Sequence, residues 1–313
     1  MKRLLLVLLT IFVVSIGFLL IQHHYSIAAV NSETPDCMDI AASPDYLSTE
    51  SAHDAIAAIN NARQVEHLHP LHLPANFYQL DPAQQQFMLL NLERTDRGLR
   101  PLQWDANLTQ MARAYSKQLL NLNFFSHTSP IGGTFSDRMN SNPVIANHYS
   151  QAAENLAGNP VAAIGPMYEY MYDDSVEACG HRHNILNPEL TLVGISWLRG
   201  SIYGSISAQE FLTSAPWSPY LGGIPDASTP LVSISISTAQ NGSGLLQCQA
   251  LAQDTMGIAR ISWFLDALSH PLHTGASWTF DTRHLSPGKH TLLVYAVDGE
   301  QNYGVARYAI VVS

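Results

Sequence analysis

Histidine and acidic side chains recur in the middle of the chain, in a pattern that could bind a metal ion or transfer protons. Four segments carry them: Phe125-Ser126-His127, Glu154-Asn155-Leu156, Tyr172-Asp173-Asp174 and Gly180-His181-Arg182. Neutral imidazole nitrogens and carboxylate oxygens are common ligands of divalent metals, with water completing the coordination shell. The same groups act as general acids and bases near neutral pH. The segments lie too far apart for the i, i+4 spacing of a zinc-binding helix, so spacing alone selects neither chemistry.

Each of these groups also fits a purely structural role. His127 follows the end of a helical pattern, where a histidine can cap carbonyl groups. Glu154 could be a first-turn acid or the ion-pair partner of an arginine. Asp173 and Asp174, which follow Tyr172, are residue types typical of turns and caps. The residues by themselves therefore leave chemistry and structural support open as alternatives.

Two helices precede these segments. Asp81-Pro82 predicts a helix start, because Asp is a favoured N-cap and Pro a favoured first helical residue, and Gly98 predicts its end. The second helix is predicted from Asp105 to Asn123, on an apolar stripe with the helical period. The stripe consists of Leu108, Met111, Ala112, Tyr115, Leu119 and Leu122. Residues 192–212 then change to a hairpin pattern of strands, so we expect helices packed on a sheet, an α+β domain.

A second domain is predicted after residues 213–230, a segment rich in Pro, Gly and Ser that marks the boundary. Beyond it, short apolar segments alternate with turn residues, as in a β-sandwich. These segments are 231–237, 245–252, 259–265, 277–282, 291–298 and 306–312. The region resembles bacterial immunoglobulin-like domains, through motifs that include Trp263-Phe264-Leu265-Asp266, Phe280-Asp281-Thr282, Gly288-Lys289-His290-Thr291, Ala296-Val297-Asp298 and Asn302.

Composition excludes some classes of partner. The chain has 313 residues, a formal net charge of −10, and 15 Lys and Arg against 25 Asp and Glu. Nonspecific nucleic-acid binding needs dense Lys and Arg, so we expect no nucleic-acid partner. With 3 cysteines, the protein is not a disulfide scaffold. A Cys37–Cys179 bridge is possible, and Cys248 is expected to be a buried free thiol that packs as a small hydrophobe.

The N-terminus predicts export. Met1-Lys2-Arg3 precedes an uncharged, mainly apolar run at 4–21, and Ser26-Ile27-Ala28 suits cleavage after Ala28. Residues 1–30 are therefore a signal peptide or an N-terminal membrane anchor, and both alternatives put the remaining chain outside the cytoplasm. Residues 31–80 are expected to be a linker, although 51–62 could form one helix. The histidine cluster of this linker, which could bind metal but fits a solvated segment better, is His67, His69 and His72.

The motifs of the first domain, taken together, resemble the CAP superfamily of cysteine-rich secretory, antigen-type and pathogenesis-related proteins, in its bacterial branch. The matching stretches run in order: Asn91-Leu92-Glu93-Arg94, Trp104-Asp105-Ala106-Asn107-Leu108, Phe125-Ser126-His127, Glu154-Asn155-Leu156-Ala157, Gly180-His181-Arg182, Asn184-Ile185-Leu186, Val193-Gly194-Ile195 and Gln209-Glu210-Phe211. The resemblance implies an α-β-α sandwich at 81–213, followed by a linker at 214–228 and the immunoglobulin-like β-sandwich at 229–313.

The resemblance also implies a central cavity lined by two histidines and two acids. Carried onto this chain, the histidines are His127 and His181, and the first acid is Glu154. The second acid is Asp174, with Asp173 as the alternative. His127 and His181 are the expected metal ligands, for a divalent ion such as zinc.

CAP domains are linked to several activities, so the resemblance leaves function open. The leading hypothesis is an exported, noncatalytic binding protein whose cavity holds a divalent metal or a small ligand, because no Ser or Cys shows a triad order of known type. The alternatives are a peptidase-like, metal-assisted hydrolase in which Glu154 activates water, and a surface adhesion protein with an inert CAP fold. Expected partners are a small ligand, a lipid or an extracellular protein.

Overall fold

The computed structural model describes residues 51–158, 162–174, 176–200, 202–238 and 244–312. The predicted signal or anchor at 1–30 and the first part of the predicted linker lie outside these residues. Within the described part of the chain, no helix is both long and apolar enough to span a membrane.

The first described element is helix α1 (Ala52–Val65), which differs from the linker expected at 31–80. Ser51 caps it by accepting the N–H of Asp54. Its Ala and Ile side chains recur at helical spacing on one face, and Ala55, Ile59 and Ala62 are buried in the main hydrophobic core. The packed first domain therefore begins earlier in the chain than residue 81, because this Ala- and Ile-rich face is apolar enough to join its core.

Five further helices follow in the first domain's described residues: α2 (Pro82–Thr95), α3 (Ala106–Leu122), α4 (Phe135–Ser141), α5 (Gly165–Tyr172) and α6 (Gly180–Leu186). The predicted caps are present. Asp81 accepts the N–H groups of Ala83 and Gln84, and Asp105 accepts that of Leu108. Helix α3 ends where predicted, at Asn123, which adopts the left-handed conformation (φ 54°) that Asn tolerates at helix ends.

The sheet of the first domain consists of β1 (Gln103–Trp104), β2 (Tyr149–Gly158), β3 (Leu192–Arg199) and β4 (Ser205–Ser214), in the order β1-β3-β4-β2. Strands β1 and β3 are parallel, and the β3–β4 and β4–β2 pairs are antiparallel. Helix α3 covers one face of the sheet, and helices α1, α2, α5 and α6 cover the other. The predicted α-β-α sandwich is confirmed.

Strand β2 lies at the edge of this sheet, and its alternation directs neighbouring side chains to opposite layers. Leu156 packs with Tyr115 and Leu119 of α3, whereas Ala157 packs in the core formed with α1, α2 and α5. By the same alternation, Glu154 lies on the α3 face and Asn155 on the opposite face.

The C-terminal β domain contains β5 (Leu231–Thr238), β6 (Leu245–Gln253), β7 (Ile258–Leu265), β8 (His273–Thr274), β9 (Ser277–Asp281), β10 (Gly288–Asp298) and β11 (Tyr303–Val312). In the described residues these form antiparallel sheets in the orders β11-β10-β7-β8 and β5-β6-β9. Trp263 of one sheet and Cys248 of the other lie in one core, so the domain is a β-sandwich. Cys248 is free and buried, as predicted. Its immunoglobulin-like identity stays a prediction.

Candidate functional site

His127 lies in the loop after α3 and contacts the acid of strand β2. Its Nδ1 is 2.7 Å from Glu154 Oε1. Tyr115 fixes the loop, because its hydroxyl donates to the carbonyl of Ser126 at 2.5 Å. The two partners differ in exposure: the His127 side chain is 54% exposed and the Glu154 side chain 2%. The pair thus presents an accessible imidazole on a buried carboxylate.

Arg138, in helix α4, holds both members of this pair. It is completely buried, donates to Glu154 Oε2, and donates to the carbonyl of His127 at 2.8 Å. Its guanidinium also stacks 3.5 Å above the centre of the Tyr115 ring. Burial raises the pKa of Glu154, but the Arg138 charge and the hydrogen bonds from His127 and Arg138 outweigh burial and hold that pKa below its ordinary value. Glu154 is therefore an anion at neutral pH.

A further buried acid, Glu210 of β4, lies directly across from Glu154 in the β2–β4 ladder. It is 1% exposed. Burial, followed by the negative charge of Glu154, raises the pKa of Glu210 well above its ordinary value. Of these two neighbouring carboxyl groups, Glu154 therefore ionises more readily than Glu210, because Arg138 contacts Glu154.

The second histidine–acid pair forms between helices α5 and α6. His181 Nδ1 is 2.7 Å from Asp174 Oδ1, and the other Asp174 oxygen accepts the backbone N–H of Arg182 at 2.9 Å. The His181 side chain is 17% exposed and stacks at a tilt on Tyr170, with 5.0 Å between ring centres. Asp173, the alternative acid, is the C-terminal cap of α5.

Strand β2 connects the two pairs. Glu154 supports His127 on one face, and the next residue, Asn155, donates to the carbonyl of His181 at 3.2 Å from the other. Asn184 of α6 fixes that amide by donating to Asn155 Oδ1 at 2.8 Å. The edge strand thus joins both histidine segments at consecutive residues.

The two pairs leave the same atom of each imidazole for a ligand. A carboxylate accepts a hydrogen bond, so in the neutral imidazole the hydrogen lies on Nδ1 and the lone pair on Nε2. Histidines that bind metals are commonly oriented in this way by a carboxylate at the other nitrogen. Nε2 of His127 and Nε2 of His181 are thus each of the donor type that binds divalent metals. The described residues contain no group of three or more His, Cys, Asp or Glu side chains arranged as a metal site.

Comparison with known proteins identifies the family of this part of the chain. The model of the cysteine-rich secretory protein family, CAP, matches residues 56–211, a range that starts inside α1 and ends in β4. Residues 56–211 are a CAP domain. The range includes both histidine–acid pairs and confirms the predicted resemblance.

Two curated relatives of the CAP domain come from Bacillus subtilis. The chain is 36% identical over 124 residues to the uncharacterized protein YkwD, covering 40% of this chain and 44% of YkwD. It is 30% identical over 117 residues to the uncharacterized membrane protein YlbC, covering 37% of this chain and 32% of YlbC. The chain thus spans less than half the length of these two relatives.

Among solved structures, the chain is similar to an extracellular protein containing an SCP domain from Bacillus anthracis. The sequence identity is 28%, the TM-score is 0.36, and the match covers 46% of this chain and 44% of that chain.

Sequence reasoning did not single out two residues of the CAP domain that the structure places at the site. Arg138 was not named, although an arginine partner for Glu154 was one alternative. The structure shows that this alternative and a site role are compatible, because one Glu154 oxygen contacts Arg138 and the other contacts His127. Glu210 was named only as part of a family motif. The sequence signal that could have pointed to Glu210 is its position in strand β4. Gln209 and Phe211, on either side of it, face the opposite layer, so Glu210 faces the same layer as Glu154.

Cys179 lies beside the second pair of the CAP domain. It is disulfide-bonded, and it immediately precedes α6, with φ at 64°. Cys37, the partner considered from the sequence, lies outside the described residues.

Proposed function

We propose that this protein is an exported, noncatalytic binding protein whose CAP domain contacts a divalent metal, zinc being the test ion, through Nε2 of His127 and His181. The observation that supports this proposal most directly is the orientation of both imidazoles by buried carboxylates at Nδ1. A ligand need not reorder such side chains, since their geometry is already fixed. The export part of the proposal rests on the N-terminal sequence.

Two features favour binding over hydrolysis. A general base must accept a proton, but Glu154 already contacts His127 and Arg138 through its two oxygens, and its pKa lies below the ordinary range. It is therefore poorly suited to activate water as the hydrolase alternative requires. Both oxygens of the Asp174 carboxylate are also occupied. One contacts His181, and the other accepts the backbone N–H of Arg182.

When bound, a metal would supply a Lewis-acid centre to which an anionic or carbonyl group of a partner could attach. The protein's own contribution is to hold two imidazoles in one tautomer and at one orientation. His127 offers the more accessible contact, and His181 is largely shielded by Tyr170 and Asp174.

Calorimetric titration of the metal-free full chain with Zn²⁺ tests the proposal. We expect saturable binding that weakens by about tenfold or more in His127→Ala and in His181→Ala. His183→Ala is the matched control, since His183 is an exposed histidine of the same short helix as His181 and should bind Zn²⁺ like the parent protein. Equal affinity in all four proteins would overturn the proposal.

A further inference from the structure

The turn that joins β10 to β11 in the C-terminal β domain is buried against the CAP domain. Asp298, Glu300, Gln301 and Asn302 are each at most 4% exposed. The Asp298 carboxylate shapes the turn by accepting the backbone N–H groups of Glu300 and Asn302 at 2.8 and 2.9 Å. Such a charged and amide-rich turn would normally be solvated, so its burial indicates a specific contact.

The backbone of this turn approaches the CAP domain closely. A Cβ added at Gly299 would lie 2.6 Å from Cδ of Pro143 and 3.0 Å from the carbonyl oxygen of Ser141. On the other side of the contact, a Cβ at Gly132 would lie 2.7 Å from Oε1 of Gln301. Both glycines leave room for the partner's atoms, so the two surfaces fit each other without space for a larger side chain.

Apolar packing extends the contact. Ile131, from the loop between His127 and α4, is fully buried in one cluster with Phe264, Tyr295 and Val297 of the β domain. The part of this loop nearest α4 is thus packed on the C-terminal β domain, whereas the His127 side chain is half-exposed.

A chain of hydrogen bonds continues from the turn to the first histidine–acid pair. Gln118 of α3, which is completely buried, donates to the carbonyl of Gln301 at 2.7 Å and accepts from the Ser129 hydroxyl at 2.6 Å. Ser129 forms a two-way backbone pair with Gly133, at 2.8 and 3.1 Å. Arg138 donates to the carbonyls of Gly133 and His127, and it also binds Glu154.

We propose that the C-terminal β domain positions the His127–Glu154 pair, and that Gln118 is the positioning residue that links them. The β domain is then a fixed support of the site and not a separate module that presents it. His181 has no part in this chain of contacts, because its supports are Asp174, Tyr170 and Asn155. The inference concerns the metal-free protein, so it can hold or fail independently of the proposed function.

The test uses the full chain labelled with ¹⁵N at histidine, without metal, at a pH where the imidazoles are neutral. Long-range ¹H–¹⁵N spectra report which ring nitrogen carries the hydrogen. We expect His127 and His181 to show the Nδ1–H tautomer in the parent protein. In Gln118→Met, His127 should lose this single signature and show an average of both tautomers, while His181 stays unchanged.

The matched control is Gln110→Met. Gln110 also lies in α3 and also donates to the turn, at 3.0 Å to Asn302, but the hydrogen bond that its side chain makes leads only to the turn and not toward Ser129. It should therefore weaken the domain contact without changing His127. Ser129→Ala keeps the Gln118–Gln301 bond but breaks the next one, and it should reproduce the His127 change. This second variant keeps the test decisive if Gln118→Met does not fold.

The inference is overturned if His127 keeps the Nδ1–H tautomer in Gln118→Met or, where that variant does not fold, in Ser129→Ala. It is also overturned if Gln110→Met alters His127 as strongly, or if His181 changes to the same extent, since those results indicate general loosening instead of a directed contact.

Discussion

The two histidine–acid pairs of the CAP domain are the same chemical unit built from different supports. In both, a carboxylate holds imidazole Nδ1 at 2.7 Å and an arginine lies beside the carboxylate. Glu154 depends on the side chain of Arg138, whereas Asp174 receives only the backbone N–H of Arg182. Equal geometry at two histidines therefore need not mean equal dependence on the residues around them.

The supports of the two pairs also contact different parts of the described chain. Arg138 leads through the loop at 127–133 toward the C-terminal β domain. Arg182 leads the opposite way, because its guanidinium donates to the carbonyl of Met171 at 2.6 Å and pairs with Glu66 at 3.0 Å, just after helix α1. Glu66 in turn contacts Arg97, which also pairs with Glu93. One pair is thus tied to the C-terminal β domain and the other to the segment that follows helix α1.

The largest expected effect is at the first pair. Arg138→Met would leave the buried Glu154 anion without its cation and would remove the stacking on Tyr115. Breaking a buried ion pair from one side costs about 4 kcal/mol of unfolding free energy. Urea unfolding at pH 7 would measure it. The double variant Arg138→Met, Glu154→Gln should recover part of that loss, and failure to recover any would argue against the ion pair as the cause.

A smaller effect is expected at the second pair. Arg182→Met removes a buried guanidinium, but Asp174 keeps its backbone donor and Glu66 keeps Arg97. We expect a loss of about 2 kcal/mol, typical of a single buried polar contact. The same urea experiment compares both variants directly. If Arg182→Met destabilises the protein as much as Arg138→Met, the two pairs do not differ in the way described.

The smallest effect is expected at Glu210, and this effect distinguishes Glu210 from its neighbour Glu154. The pKa of Glu210 in the folded protein is raised well above its ordinary value. Below the ordinary glutamate range the carboxyl is protonated in both states, so Glu210→Gln should change the unfolding free energy there by less than about 1 kcal/mol. At pH 7 the variant should be the more stable protein, because it lacks an acid that ionises more readily when unfolded. Glu154→Gln should cost more, because it leaves Arg138 unpaired.

The pH dependence gives Glu210 a second test. A raised pKa in the folded state stabilises the protein fully below the unfolded pKa, and this contribution is lost as pH rises through the folded value. Unfolding free energy in the parent protein should therefore fall with rising pH on account of Glu210, and Glu210→Gln should reduce that fall. An unchanged pH profile in the variant would contradict the assignment.

The sequence predicted the elements whose signals are local. The stripe and caps of α3 located that helix to within a residue at each end, and the turn-separated apolar segments located the strands of the β-sandwich. Helix α1 was assigned to a linker because its short Ala-rich face is a weak local signal. Its place in the fold depends on burial against distant helices and on the Arg63–Glu93 ion pair, at 2.8 Å.

The residues of the candidate site also divide into those with a local sequence signal and those without one. His127, Glu154, Asp174 and His181 could be named from the sequence because each lies in or beside a short motif. Arg138 reaches Glu154 across 16 residues, and Gln118 reaches Gln301 across 183. Contacts of that kind follow from how layers and domains pack, which a single sequence does not reveal.

The proposed function requires that Nε2 of His127 and Nε2 of His181 contact one ligand. The most direct measurement is a Zn²⁺ titration of the ¹⁵N-histidine-labelled full chain, followed by the ring nitrogen signals. We expect the Nε2 signals of His127 and His181 to change together, with the same dependence on Zn²⁺, while both Nδ1 atoms keep their hydrogens. A change confined to one of the two imidazoles, or no change at either, would contradict it.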